Sequence, residues 1–499
     1  MKGIKIVFII LLSLISIRSF AQENNVFLER AFWKTQPSIG VIKEKIKEGH
    51  NATQLSPFGF DAVTGALLAQ ADNSIVKYLL SIEGNGVNKL THDGRTYIFW
   101  AAYKGNLEIM QYLLDKGAKT DVIDDKGYSL LTFTAVTGQT DPALYDLIIT
   151  HGANVLIEKS KDGANVLLLL IPYLDDFKMV TYFESKGINL KSKDNYGNGA
   201  FNYTAQTGNI ELLKKLIDKG LNYKTPNIEG GNAFIFASKG TRRIKNGIDV
   251  YKFLERLGIN PNVTTKKGVN PLHSIAYSSK DKEVLDFFIQ KGVSVNQQDE
   301  HGNTPFMNAA AYNNMDIVTY LSKHVDDINV QNAKGQTALT KAISSNTLDV
   351  ISFLVDQKSN TQIIDKEGNS LANYLVNNFD IDNKEDFFKK AEYLRNLDVK
   401  FSTVQAKKNT LLHIGIDKMD RDLIDFLVSQ GADVNAINAD GLTVLHMAAM
   451  KANDDNILKY LIELGANKTI KTEFDETVYD LAKENELLKA NGIDLQFLK

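Results

Sequence analysis

The chain has 499 residues, 43% of them hydrophobic and 23% charged, with a formal net charge of −3. That apolar content excludes a disordered chain, and the near-neutral balance excludes a general nucleic-acid binder, which needs a basic surface. The absence of Cys removes disulfides, thiolate zinc sites, a cysteine nucleophile and a lipid-anchored lipoprotein.

Met1 to Ala21 has the pattern of a secretory signal. Lys2 and Lys5 precede an almost wholly apolar run, Ile6 to Ile17, and Ser19-Phe20-Ala21 is a small-x-small cleavage site. The run is too short to span a bilayer as a helix, which takes about 20 residues. The reading is therefore residues 1–21 as a signal peptide, Gln22 as the mature start, and export from a bacterial cell. The periplasm is the expected compartment and the extracellular medium the alternative. Cleavage removes Lys2, Lys5 and Arg18 and takes the net charge from −3 to −6. No later stretch suits a membrane span, since Val166 to Ile171 ends at Pro172.

Residues 22–55 are expected to form an N-terminal helical cap. Pro37 starts its second helix, which carries Ile39, Ile42 and Ile46. From residue 56 onward two motifs alternate. The first is a polar turn with a glycine, at Gly59, Gly94, Gly127, Gly163, Gly197, Gly231, Gly268, Gly302, Gly335, Gly368 and Gly441. Successive gaps from Gly59 to Gly368 are 35, 33, 36, 34, 34, 37, 34, 33 and 33 residues. The last gap holds two repeats, with Asn409 marking the intervening turn.

The second motif is a pair of apolar doublets four residues apart. Examples are Ile109-Met110 with Leu113-Leu114, Val284-Leu285 with Phe288-Ile289, and Leu423-Ile424 with Leu427-Val428. This spacing lays one apolar stripe along a helix. A glycine three residues later, as at Gly117, Gly292 and Gly431, suits a left-handed helix end. Between turn and stripe lies a shorter apolar segment entered by Thr96, Thr304, Thr337, Thr410 or Thr443, whose hydroxyls can cap it. Pro271 and Pro305 sit in its first turn, and Ala101-Ala102, Ala309-Ala310 and Ala448-Ala449 allow close helix approach.

These residues carry a family resemblance. Asn270-Pro271-Leu272-His273, Thr304-Pro305-Phe306-Met307 and Thr443-Val444-Leu445-His446 resemble the Thr-Pro-Leu-His signature of ankyrin repeats. Gly431-Ala432-Asp433-Val434-Asn435 resembles the family's return segment. The resemblance implies an all-α ankyrin-repeat solenoid over residues 56–470, with about 12 stacked helix–turn–helix units and projecting β-hairpin turns. Units near 163–267 and 368–408 diverge, the former through an insert at Thr241 to Gly247. Residues 471–499 are expected to cap the C-terminus with a helix over Val478 to Leu488.

Motifs for phosphate, dinucleotide, zinc-protease or serine-hydrolase chemistry are absent, and neither an enzyme nor a cofactor is expected. Asp121, Asp124 and Asp125 lack the closing Glu of a calcium loop and read as a solvated turn. His273, His413 and His446 hold the fourth place of the tetrad, where the resemblance implies hydrogen bonds between loops. No acidic or thiolate co-ligands recur beside them.

The resemblance also implies recognition of a protein along a groove of inner helices and turn tips. Its candidate contacts are Arg95, Tyr103, Lys104, Tyr128, Tyr196, Tyr277 and Tyr312. Tyrosine suits this role because it buries much area at little entropy cost. Arg242, Arg243 and Lys245, extended by Lys266 and Lys267, form a basic patch suited to an acidic partner. The expected function is that of an exported, monomeric, non-catalytic scaffold for a protein partner. The alternatives are a glycan- or peptidoglycan-binding envelope module, or a secreted effector acting on another cell.

Overall fold

A computed structural model describes residues 25–242 and 244–499. The expected signal peptide and Arg243 lie outside the described residues. Backbone contacts divide the chain into two units, one reaching Thr204 and including Asn209–Asn222, the other Ala205–Gly208 with Tyr223–Lys499. Each is an array of short inner helices and outer helices. Among the described residues there is no extended strand, and no helix is long and apolar enough to cross a membrane.

The first unit opens with the helices Arg30–Lys34 and Ile39–Lys47. The second starts two residues after Pro37 because the Ser38 hydroxyl caps Val41 N–H at 3.4 Å. Phe27, Trp33 and Ile42 are buried, and Trp33 Nε1 donates to the Phe27 carbonyl at 2.8 Å. Inner–outer pairs follow, among them Tyr97–Tyr103 with Leu107–Asp115 and Leu130–Val136 with Pro142–Thr150.

The second unit holds Ala233–Lys239 with Ile248–Arg256, Pro271–Ser278 with Lys282–Gln290, and Pro305–Tyr312 with Met315–Ser322. It continues with Ala338–Ser345 and Leu348–Asp356, then Leu371–Asn377 and the long outer helix Lys384–Asn396. Val284, Leu285 and Phe288 bury the stripe predicted from their spacing, and Ala276, Ala309 and Ala310 are fully buried where inner helices meet.

Two local expectations change. The helix expected over Val478 to Leu488 is two helices, Val478–Glu484 and Glu486–Ala490. Asn485 breaks it by turning extended and capping Leu487 N–H at 2.9 Å. The segment is a shortened helix pair, built like the repeats before it. Thr96 does not cap its helix with its side chain, and its Oγ1 is buried without a partner among the described residues. Thr304, Thr337, Thr410 and Thr443 do cap theirs.

Asparagines between inner and outer helices, buried at Asn313 and Asn485 and half-buried at Asn346, bind their repeats to the ones before. Asn313 donates to the carbonyls of Ala276 (2.8 Å) and Ser279 (2.9 Å), and Asn346 to those of Ala310 (2.9 Å) and Asn313 (2.8 Å). Asn485 does the same to Ala449 and Ala452. On the outer helices Tyr182 donates to Asp146 at 2.8 Å, and Tyr320 and Tyr460 likewise to Asp286 and Asp425.

Candidate recognition surface

The turns are built by a short acceptor side chain. Asp299 accepts from His301 and Asn303 N–H, each at 2.9 Å; Asn332 does so from Lys334 and Gln336, and Asp365 from Glu367 and Asn369. Asp124 does the same for Lys126 and Tyr128, so it is a buried turn-former and not the solvated side chain expected. Single main-chain bonds then tie tip to tip. Ala333 N–H donates to the His301 carbonyl (2.8 Å), Lys366 to Lys334 (3.0 Å) and Ala439 to Lys407 (2.8 Å). The turn glycines Gly268, Gly302 and Gly335 leave room for this contact. At Gly268, φ is 75°, and a Cβ would collide with the Gln298 carbonyl of the next hairpin.

The three tetrad histidines join the same network. His446 Nδ1 accepts from Thr443 N–H at 3.1 Å, so Nε2 carries the proton and donates to the Ile470 carbonyl, also at 3.1 Å. His413 reaches Leu442 (3.1 Å) and His273 reaches Asn303 (3.2 Å) in the same way. Burial lowers the pKa of all three below the ordinary 6.5, against the pull of these carbonyls.

In the first unit, Arg95 is a correction to the groove assignment. It is only 9% exposed. Its Nε donates to Asp124 at 2.8 Å, its Nη1 lies 3.2 Å from Asp93, and its guanidinium sits 4.5 Å above the Phe133 ring and 5.4 Å from Trp100. Trp100 Nε1 donates to Thr91 Oγ1 at 2.8 Å. The chain's own aromatic–guanidinium stack therefore fills this stretch. Tyr103 is half-buried with Lys104 5.3 Å over its ring. Tyr128 is half-buried too, and burial raises its phenol pKa. Tyr196 is exposed beside its turn glycine.

In the second unit, Tyr277 and Tyr312 are 49% and 54% exposed. They come from consecutive inner helices, and their ring centroids lie 4.6 Å apart at 51°. The basic patch does not act as one cluster. Arg242, Lys245, Lys266 and Lys267 are exposed, but Lys245 Nζ donates to the Lys239 carbonyl at 3.1 Å and Lys267 pairs with Glu300 at 3.2 Å.

Two features escaped the sequence reading. Met450 stands nine residues after Gly441, as Tyr277 stands after Gly268, and is 39% exposed. The spacing alone would have found it. A polar cavity of about 360 Å³ lies between the tips around Lys334, Glu367 and Lys407 and the inner helix Leu371–Asn377. It falls in a unit whose tetrad is disguised as Ser370-Leu371-Ala372-Asn373.

Comparison with known proteins agrees with this construction. A family model, Ankyrin repeats (3 copies), matches residues 65–159, 243–332 and 366–472. The chain is similar to Palmitoyltransferase AKR1 of Lachancea kluyveri, 25% identical over 40% of this chain and 28% of that protein. It is similar to Putative ankyrin repeat protein FPV031 of fowlpox virus, 25% identical over 37% of this chain and 54% of that one. It is also similar to Phosphocholine transferase AnkX of Legionella pneumophila, 23% identical over 43% of this chain and 20% of that one. The chain thus spans between about a fifth and about half the length of these relatives. The crystal structure of the human ASB11 ankyrin repeat domain aligns with 46% of this chain and 98% of its own, at 20% identity and a TM-score of 0.38. With the family model covering more than half of its residues and helix pairs joined tip to tip, the chain belongs to the ankyrin-repeat family.

Proposed function

We propose that this protein is an exported, non-catalytic scaffold that holds a protein partner against its inner helices and hairpin tips. Ankyrin repeats bind proteins. The observation that carries the reading is the Tyr277–Tyr312 pair, two rings left half in water on adjacent inner helices. Exposed aromatic pairs of this kind anchor interfaces, because rigid rings bury area at little entropic cost. A standard interface buries about 1,600 Å² in all. The second unit is favoured over the first as its seat, since Arg95, Trp100 and Phe133 already pack against one another there. Export is supported by the Met1 to Ala21 pattern and by the absence of Cys.

The test is affinity capture from the cell-envelope fraction with the wild-type chain and with Tyr277→Ala/Tyr312→Ala. A protein retained by the first and lost by the second supports the reading. Retention of the same set by both, or of cell-wall glycan instead of protein, overturns it. The intact mass of the exported protein should place the mature start at Gln22.

A further inference from the structure

The polar cavity in the second unit carries a more specific reading of that recognition, and rests on it. Several carboxamides line it. Gln336, Asn369 and Asn409 are committed to the stack, through Asn332 (2.9 Å), Asp365 (3.1 Å) and Asn438 (3.0 Å) respectively. Asn373 and Asn377 are not. Among the described residues neither side chain is bonded to another part of the chain. They stand four residues apart on one helix, and so on one face, about 6 Å apart along its axis. Alternate residues of an extended peptide are about 6.7 Å apart. Two carboxamides at that spacing can each take an N–H and a C=O from one edge of such a strand.

The rim supplies charge. Lys334 and Lys407 line the cavity, and Lys366 and Lys408 are exposed on the same three successive tips; Glu367 is the one exposed acid there and Asp365 a buried one, on a chain whose overall charge is negative. The backbone is strained to keep two of them. Lys407 and Lys408 have φ of 55° and 57°, whereas the flanking hairpins place Gly368 (96°) and Gly441 (74°) at the turn. Side chains are disfavoured in that region, and such strain gathers at functional positions.

We propose that this cavity seats an extended acidic segment of a protein. Asn373 and Asn377 take the main chain of alternate residues, and Lys334, Lys407 and Lys408 take Asp or Glu carboxylates. An uncharged glycan would pair with the carboxamides but leave the lysines without a role.

The experiment uses the full chain and two fluorescein-labelled octapeptide pools, one with Asp or Glu and one with Asn or Gln at two fixed central positions. Anisotropy should show the acidic pool binding at least about ten-fold more tightly, with the preference lost between about 50 and about 500 mM NaCl. Asn373→Ala/Asn377→Ala should weaken the acidic pool by about ten-fold while keeping its helical circular dichroism. Lys408→Gly should resist urea better than wild type yet bind more weakly. Equal binding of both pools, unchanged binding by the Asn pair variant, or Asn-dependent binding of a neutral cell-wall oligosaccharide overturns the proposal. If Lys407→Glu/Lys408→Glu still captures the partner that Tyr277→Ala/Tyr312→Ala loses, this site falls while the recognition reading stands. If the tyrosine variant loses nothing, that reading falls, and acidic-pool binding then stands or fails alone.

Discussion

The Nε2 of His446 lies 3.1 Å from the carbonyl oxygen of Ile470, while its Nδ1 accepts the N–H of Thr443 at the same distance. Only the neutral ring can do both, because protonation would turn Nδ1 from acceptor to donor. The native pKa is below the ordinary 6.5, through burial first, at His273, His413 and His446 alike. The unfolded chain therefore takes up protons that the folded chain refuses. Stability is complete above pH 6.5 and declines as pH falls from there through the lowered native values, by about 1.4 kcal/mol for each unit of pKa difference. Urea midpoints measured from pH 7.5 to 5 should fall. Replacing the three histidines by Asn should flatten that slope.

Gly117 and Gly268 both have positive φ, but only Gly268 faces neighbouring backbone. Gly117→Ala should cost about 1–2 kcal/mol from conformation alone. Gly268→Ala should cost more, because its Cβ would also meet the Gln298 carbonyl and lie 2.9 Å from Asp299 Cα. Urea unfolding of the two variants compares them directly, and equal losses would refute the tip-contact account.

Asn313→Ala strips hydrogen bonds from the Ala276 and Ser279 carbonyls at a nearly inaccessible site. The expected loss is about 1–3 kcal/mol. Amide exchange should quicken first in Pro271–Ser278 and Pro305–Tyr312, the helices this side chain joins.

Leu285 is 0% exposed in the outer-helix stripe. Leu285→Asp buries a carboxylate with no cation designed for it and should cost more than about 3 kcal/mol. Because each repeat leans on its neighbours, exchange protection should drop in the flanking helix pairs as well.

Tyr277→Ala and Tyr312→Ala remove rings that are half in water, so each should change stability by less than about 1 kcal/mol. A larger loss in thermal melts would mean that the pair holds the stack and is not a contact surface.

The spacing of turn glycines and the doublets at i and i+4 made the helix pairs legible, since both follow from backbone chemistry within one repeat. What escaped depends on partners a repeat away. Arg95 looks like a surface cation until Asp124, 29 residues on, and Phe133 close around it. Thr96 has the right type and place for a cap, yet its hydroxyl makes no such bond. Asn485 sits inside an apparently continuous helical stretch, and its chain-breaking role emerges only with the Ala449 and Ala452 carbonyls that it serves. Tyr277 lies nine residues after Gly268, and the same count from Gly441 reaches Met450.

The main-chain bond that joins many of the consecutive hairpins also bears on how such a chain can change length. The donor and acceptor are backbone groups wherever this bond forms, as from Ala333 to His301, Lys366 to Lys334 and Ala439 to Lys407. Excising one whole period between two such bonded junctions would bring together ends already equipped to join, whatever their side chains. A gene encoding this protein can therefore gain or lose links without redesigning the splice, leaving side chains free to diversify from one link to the next.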